Sequence, residues 1–276
     1  MAGAVLAAAA AAGLAVSVPG PALAAAPPVC VSAQHPLLAA RMSAGINRAL
    51  AGRRSAVGLS VADPGLDLTC ALRQGSHFDA ASVIKVTIIS ALLLKEGGPA
   101  HLTAAQRSLA WTMITQSNDT SATKLWNEAG MAGMQRFLDR AGMTHTVLSY
   151  AWGLTALTAQ DEVTLLRLLT SPGPVLDTAS RDYVLYLMAH VVAGQRWGTP
   201  DGVPSGVTVH VKNGWLPYPT GADWHINSIG AFAGPGTSYQ MAVLTSGNPS
   251  MTYGVDTIDG AARVINGDIA AFTRSH

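Results

Sequence analysis

The stretch AASVIKV, residues 80–86, places a serine and a lysine three positions apart at the start of a long apolar segment. On a helix, positions i and i+3 share a face, so the Ser82 hydroxyl and the Lys85 amine are expected to meet. A serine hydroxyl becomes a good nucleophile when a base takes its proton, and a desolvated lysine can be that base. A helix N-cap serine followed by a lysine that extends to the surface would give the same pattern, so both interpretations stay open.

Outward from this stretch, helical and strand patterns occupy different parts of the chain. Residues 82–95 are apolar on nearly all sides, which predicts a buried helix. Further helices are expected at residues 36–51, 103–115, 121–129, 131–141, 159–169, 178–192 and 257–272. Strands are expected at residues 56–61, 66–72, 207–211, 226–233 and 239–245.

This order predicts an α+β fold. An antiparallel sheet of about five strands is formed by both ends of the chain and is flanked by terminal helices. An all-helical lobe, about residues 80–195, is inserted between the two halves of the sheet. The cleft between sheet and lobe is the expected place for a functional site.

The N-terminus predicts an exported protein. Residues 4–18 are rich in Ala, Leu and Val, and the small-x-small sequence Ala22-Leu23-Ala24 follows a Pro-Gly-Pro segment. We expect a secretory signal peptide at residues 1–26, removed to leave one domain at 27–276 without a membrane span. In an oxidising compartment Cys30 and Cys70 are expected to form a disulfide, with free thiols or lipidation of Cys30 as alternatives.

Composition narrows the class of partner. The 17 basic and 16 acidic residues nearly cancel, which argues against a nucleic-acid partner. The eight histidines show no metal-ligand spacing, and the chain has no phosphate loop or dinucleotide fingerprint. We therefore expect no metal and no cofactor. A monomer is expected as well, although composition does not bear on that point.

Two later motifs carry chemistry only in combination with the first. Ser117-Asn118-Asp119 follows a helical segment, where the Ser117 hydroxyl could relay a proton to a leaving nitrogen, although taken alone the motif is better explained as a helix N-cap cluster. Lys212-Asn213-Gly214 follows a predicted strand, where a lysine could bind a carboxylate and a glycine allows close approach. A strand that ends in a turn is the alternative.

The three motifs in this order resemble those of the class A β-lactamase and penicillin-binding-protein superfamily, Ser-x-x-Lys, Ser-Asp-Asn and Lys-Thr-Gly. The resemblance spans nearly all of residues 27–276. It implies that Ser82 is the acylated nucleophile and that Lys85 is its base or the partner of its base. It further implies that Ser117 protonates the leaving nitrogen and that Lys212 binds the substrate carboxylate and polarises Ser117.

The resemblance also implies an oxyanion hole and a set of substrate contacts. The backbone N–H groups of Ser82 and Trp215 would form the oxyanion hole. Gly214 matches the family motif, whereas Asn213 replaces its threonine and changes a hydroxyl contact to an amide. Trp215 could stack on a ligand or serve as a packing residue.

The middle motif departs from the family pattern because it reads Ser-Asn-Asp. Asp119 would stand where the family's asparagine contacts the substrate, and its charge would favour a protonated Lys85. Asn118 could take over that contact instead.

A second departure concerns release of the acyl group. The resemblance implies a glutamate that activates water, in a loop before the Lys-Thr-Gly element. The matching residues, 142–157, contain no Asp or Glu, and His145 is the only other candidate base there. Asp161 and Glu162 fall in the next helix, where capping and helix-dipole roles are expected.

These features predict an exported serine hydrolase that resembles class A β-lactamases and releases its acyl group poorly. Its substrate would be a β-lactam or a peptidoglycan-type compound. The alternatives are a cell-wall D,D-peptidase or transpeptidase and a non-catalytic penicillin-binding or recognition module.

Overall fold

A computed structural model describes residues 1, 3–4, 28–218 and 223–275. The predicted signal peptide, residues 1–26, lies outside the described residues except for its positions 1, 3 and 4. Within the part of the chain that is described, no helix is both long and apolar enough to cross a membrane.

Eight strands and eight α-helices make up the described structure. The strands are β1 (Cys30–Ser32), β2 (Ala56–Asp63), β3 (Leu68–Leu72), β4 (Phe78–Asp79), β5 (Ala156–Leu157), β6 (Thr208–Pro217), β7 (Trp224–Gly234) and β8 (Thr237–Asn248). The helices are α1 (Pro36–Leu50), α2 (Ile84–Glu96), α3 (Ala104–Thr115), α4 (Asp119–Ala129), α5 (Met131–Ala141), α6 (Ala159–Thr170), α7 (Thr178–Ala189) and α8 (Met251–Ser275).

The main sheet confirms the predicted fold class. Its order is β1-β3-β2-β8-β7-β6, and every neighbouring pair is antiparallel. The first and last thirds of the chain meet where β2 pairs with β8. The sheet has six strands rather than about five because the short β1 adds an edge strand beside β3.

Two cores lie on opposite faces of the sheet, because successive side chains of a strand alternate between its faces. On one face, Val57, Leu59 and Val61 of β2 pack with α1 and α8. On the other face, Ala242 and Leu244 of β8 pack with the helical lobe. Burial of both faces explains why these strands are almost continuously apolar.

Helix α2 is the central helix of the lobe, and its residues 84–93 are all buried, as the apolar sequence predicts. It begins at Ile84 rather than at Ser82, since Ala81–Val83 form a separate 3-10 turn. Strand β6 is longer than predicted and carries the Lys-Asn-Gly motif inside the strand. Pro217 is compatible with this extension because β6 is an edge strand.

The structure joins Cys30 and Cys70 by a disulfide. The two residues face each other in the β1–β3 register. The bond therefore attaches the short edge strand β1 to β3.

Glu162, in the first turn of α6, is a fully buried carboxyl group. Helix α6 packs against β2 and β8, and neither carboxyl oxygen of Glu162 has a hydrogen-bond partner among the described residues. Burial, with a smaller contribution from the charge of Asp161, raises the pKa of Glu162 from 4.5 to about 8. The group is therefore protonated in the folded protein at neutral pH.

This carboxyl should make folding stability depend on pH. Because its pKa is higher in the folded chain than in the unfolded chain, the free energy of unfolding should fall as the pH rises from 4.5 to about 8. The slope would be at most about 1.4 kcal/mol per pH unit. Urea denaturation across this range should show a steeper fall in the wild type than in Glu162→Met, since Asp259, whose pKa burial raises to about 6, contributes to the fall in both proteins. The exposed control Glu128→Met should keep the slope, and equal slopes in all three proteins would contradict this assignment.

Candidate active site

The 3-10 turn before α2 holds Ser82 in a constrained backbone. Ala81, directly before it, has a φ of +46°, a left-handed conformation that is costly for a residue with a side chain. The Ala80 N–H donates to the carbonyl of Thr155 at 2.9 Å, which anchors the turn. Such strain at one residue beside a candidate nucleophile is typical of a functional position.

Lys85 lies one turn after Ser82, and its side chain is 0% exposed. Its Nζ is 2.8 Å from Ser82 Oγ, 3.1 Å from Ser117 Oγ and 2.6 Å from Asp119 Oδ1. It also donates to the Ser117 carbonyl at 2.7 Å. Burial lowers the pKa of Lys85, and the hydrogen bond and charge of Asp119 oppose that shift.

Ser117 connects the two buried lysines of the site. Its φ of +57° brings its carbonyl and its hydroxyl to the same Lys85 amine. Lys212 Nζ lies 2.9 Å from Ser117 Oγ and donates to the Asn213 carbonyl at 2.7 Å. Burial lowers the pKa of Lys212 well below its usual range, and the nearby charge of Lys85 adds to the shift.

Asp119 and Asn118 have different positions at the start of α4. The Asn118 side chain caps the helix by accepting from the Ser121 N–H at 2.8 Å. Asp119 instead reaches Lys85, and its side chain is 73% exposed. Of the two residues that the sequence left as alternatives, Asp119 is therefore the one that contacts the lysine.

Gly214 allows β6 to lie very close to the 3-10 turn that contains Ser82, Ala81–Val83, which we call the nucleophile turn. A Cβ at this position would lie 2.7 Å from the Ser82 nitrogen and 3.0 Å from the Val83 nitrogen. These backbone atoms cannot move aside as a flexible side chain could, so only glycine fits here. The Ser82 N–H, one half of the expected oxyanion hole, thus lies directly beside β6.

The side chains of Asn213 and Trp215 pack on the segment around residues 195–197. The Asn213 Nδ2 donates to the carbonyls of Gln195 and Trp197 at 2.9 and 2.8 Å, and its Oδ1 is buried without a partner in the described structure. The Trp215 ring centroid is 6.2 Å from that of Trp197. In this structure both side chains hold the edge strand β6 against the segment around residues 195–197.

Segment 142–157 places an indole ring, rather than a carboxylate, beside the lysine. The Trp152 ring centroid lies 5.0 Å from Lys85 Nζ, and its Nε1 donates to Thr123 Oγ1 at 3.1 Å. A cation over an aromatic face is attracted by the ring. The sequence does not predict this position of the Trp152 ring, because a ring direction in an irregular segment has no periodic signal.

His145 and Asp161 form a pair that ties segment 142–157 to α6. Asp161 accepts from the His145 N–H at 2.9 Å and from Thr146 Oγ1 at 2.8 Å, and His145 Nδ1 lies 3.2 Å from its other oxygen. The expected cap of α6 is present, since Thr158 Oγ1 accepts from the Asp161 N–H at 3.1 Å. The Asp161 carboxylate is thus engaged by the loop and is not a member of the Ser82–Lys85 network.

One site residue was missed at the sequence level. Asn227 of β7 is fully buried, and its Nδ2 donates to the carbonyls of Asp79 and Ala80 at 2.8 and 3.2 Å. Its Oδ1 accepts from the Thr245 N–H at 3.2 Å. An asparagine inside an apolar strand was the available signal, because a buried amide needs partners.

Comparison with known proteins gives one family match. The model of the "Beta-lactamase enzyme family" matches residues 96–269. No curated protein matches the chain.

Several solved structures share the fold. A class A β-lactamase from Bacteroides cellulosilyticus is 17% identical with a TM-score of 0.73, covering 84% of this chain and 98% of that one. A β-lactamase from Streptosporangium roseum is 19% identical with a TM-score of 0.70, covering 84% and 99%. A point mutant of PBP-A, solved as an acyl-enzyme complex with penicillin G, is 19% identical with a TM-score of 0.71, covering 83% and 96%.

Gly214→Ala should separate β6 from the nucleophile turn. Because the new Cβ would meet two backbone nitrogens, the acylation of Ser82 by a β-lactam that the sequence predicts should slow by about 100-fold or more. Gly133→Ala is the matched control, since a Cβ there meets no atom within 4 Å and the residue lies in α5. Acylation rates of the wild type and both variants would be measured by stopped flow, and circular dichroism would check that each variant is folded. Equal rates for both variants would show that the close approach is not required.

Proposed function

Since the chain belongs to the β-lactamase enzyme family, we propose that it is an exported serine hydrolase that acylates Ser82 readily and releases the acyl group slowly. The hydrogen-bonded chain Ser82–Lys85–Ser117–Lys212 carries this proposal. It gives a nucleophile, a desolvated amine and a proton relay in one continuous path.

The acylation step follows from these distances. Ser82 Oγ attacks a lactam or amide carbonyl, and its proton passes to the neutral Lys85 amine at 2.8 Å. The Ser117 hydroxyl protonates the leaving nitrogen as the carbon–nitrogen bond breaks. Ser117 regains a proton from Lys85, 3.1 Å away. The Ser82 N–H beside Gly214 and the Trp215 N–H would stabilise the oxyanion.

Slow release follows from the positions of the carboxylates. Hydrolysis of an acyl-enzyme needs a base that activates water. Asp161 is held by His145 and Thr146, and Glu162 is buried away from any hydrogen-bond partner in the described structure. Trp152 covers Lys85 from the side of the segment that would carry such a base in β-lactamases.

The substrate is proposed to be a β-lactam or a related peptidoglycan-type amide. One structural neighbour is described as an acyl-enzyme complex with penicillin G, which supports a β-lactam as the acylating compound. The buried Lys212 amine next to Ser117 would bind a substrate carboxylate. Asn213, whose amide is committed to two backbone carbonyls, would keep β6 in place rather than contact that carboxylate.

Export is supported by the sequence of residues 1–26 and by the Cys30–Cys70 disulfide, a bond typical of oxidising compartments.

A D,D-peptidase or transpeptidase is the second candidate function. The same missing base favours it, because an acyl-enzyme that water attacks slowly survives long enough to meet an amine acceptor.

Penicillin G should form a long-lived covalent adduct on Ser82. Intact-mass spectrometry should detect one adduct per chain within minutes, and peptide mapping should place it on Ser82. Ser82→Ala should form none and controls for non-covalent binding. Rapid turnover without an accumulated adduct would contradict slow release, and failure of the wild type to react would contradict acylation.

Asp119→Asn should change the pH dependence of acylation. Asp119 opposes the effect of burial on Lys85, so its removal should lower the pKa of Lys85 further. The neutral amine would then persist to lower pH, and the acid limb of the acylation rate profile should move to lower pH. Asp182→Asn, a change of the same charge at an exposed position on α7, should leave the profile in place. Profiles that coincide for wild type and Asp119→Asn would exclude this role.

A further inference from the structure

The Asp119 carboxylate is an accessible negative charge beside the nucleophile. Its Oδ1 and Ser82 Oγ both lie within 3 Å of the Lys85 amine. Its Oδ2 accepts no hydrogen bond from the described residues, and 73% of the side chain is exposed. The carboxylate can therefore bind a further donor that enters the cleft.

The local structure keeps this carboxylate in place. Asp119 is the first residue of α4, where a negative charge is stabilised by the helix N-terminus. The Asn118 cap fixes the start of the helix, and the ion pair with buried Lys85 fixes the side chain. A donor in the cleft would therefore find the acceptor already oriented.

The charged groups of the cleft form an ordered series. Lys212 is hydrogen-bonded to Ser117, Ser117 to Lys85, and Lys85 to Asp119, so the Lys212 amine and the Asp119 carboxylate lie at opposite ends of the series. A substrate with a carboxylate at one end and an ammonium at the other would match this series. An acylamide in place of the ammonium, as in penicillin G, would bring its carbonyl oxygen against a carboxylate, and this repulsion would slow acylation without preventing it.

We infer that Asp119 selects substrates with a protonated amine next to the carbonyl that Ser82 attacks. This inference rests on the proposed acylation of Ser82. The preferred compounds are amides, esters or thioesters of an amino acid with a free amine, whose leaving group carries a carboxylate.

Substrate binding would also prepare the lysine for its role as base. When the substrate ammonium takes the Asp119 carboxylate, Lys85 loses its counter-ion, and burial favours its neutral form. The proton that Lys85 gives up passes to solvent water in the open cleft. Lys85 then takes the Ser82 proton as the bond between Ser82 Oγ and the carbonyl carbon forms, and that proton returns through the Ser117 hydroxyl to the leaving group as the bond between the leaving group and the carbonyl carbon breaks.

Two achiral thioesters that differ only at the amine would test this selection. They are glycyl-thioglycolate, which has a free amine, and its N-acetyl derivative. Acylation by either compound releases one thiol, which a chromogenic thiol reagent can measure. At about pH 6.5 the free α-amino group is protonated. Wild type should react with the free amine about tenfold faster, since a hydrogen bond between charged groups contributes more than a neutral one. Asp119→Asn should lose or reverse that preference, and Asp182→Asn should keep it.

Penicillin G distinguishes failure of the proposed acylation of Ser82 from failure of the proposed selection by Asp119. If it acylates Ser82 but wild type prefers the N-acetyl thioester, or treats both thioesters alike, the role of Asp119 is wrong and the acylation chemistry stands. If Asp119→Asn keeps the wild-type preference for the free amine, another group selects it and this inference is also wrong. If neither penicillin G nor either thioester acylates Ser82, the proposed function fails and the inference fails with it.

Discussion

The candidate active site depends on a buried lysine amine that has several polar acceptors within reach. Lys85 has no exposed side-chain surface, and a charge in that position is tolerated only because Ser82, Ser117 and Asp119 surround it. These partners come from the 3-10 turn before α2, from the loop before α4 and from the start of α4. The cation thus fixes the distance between segments that are more than thirty residues apart in sequence.

The sheet places the same lysine beside an edge strand. Strand β6 can approach the nucleophile turn because Gly214 has no side chain, and Asn227 of the neighbouring strand holds the carbonyls of Asp79 and Ala80. Both ends of the chain are needed, since β6 and β7 come late in the sequence and the turn comes early. The site therefore forms only when the sheet is complete.

The sequence predicted the parts of this arrangement that depend on local spacing. Ser82 and Lys85 meet because they are three positions apart on a helical turn, and strand patterns near both ends of the chain predicted the sheet and its inserted lobe. The direction of the Trp152 ring was not predictable, because it depends on an irregular segment. The burial of Glu162 was also not predictable, since its place in the first turn of α6 is equally compatible with an exposed, charged residue. That outcome depends on how α6 packs against the sheet.

The three carboxyl groups near the cleft show how environment, rather than residue type, determines chemistry. Glu162 is buried without partners and is held neutral, with a pKa of about 8. Asp161 is committed to a histidine and a threonine of the adjoining loop. Asp119 alone among these three is both exposed and bonded to the Ser82–Lys85 network. Because Asp119 contacts the Lys85 amine, its charge would act on the formation of the proposed acyl-enzyme. In that proposal the site would control which compound acylates Ser82 more closely than it controls release of the acyl group.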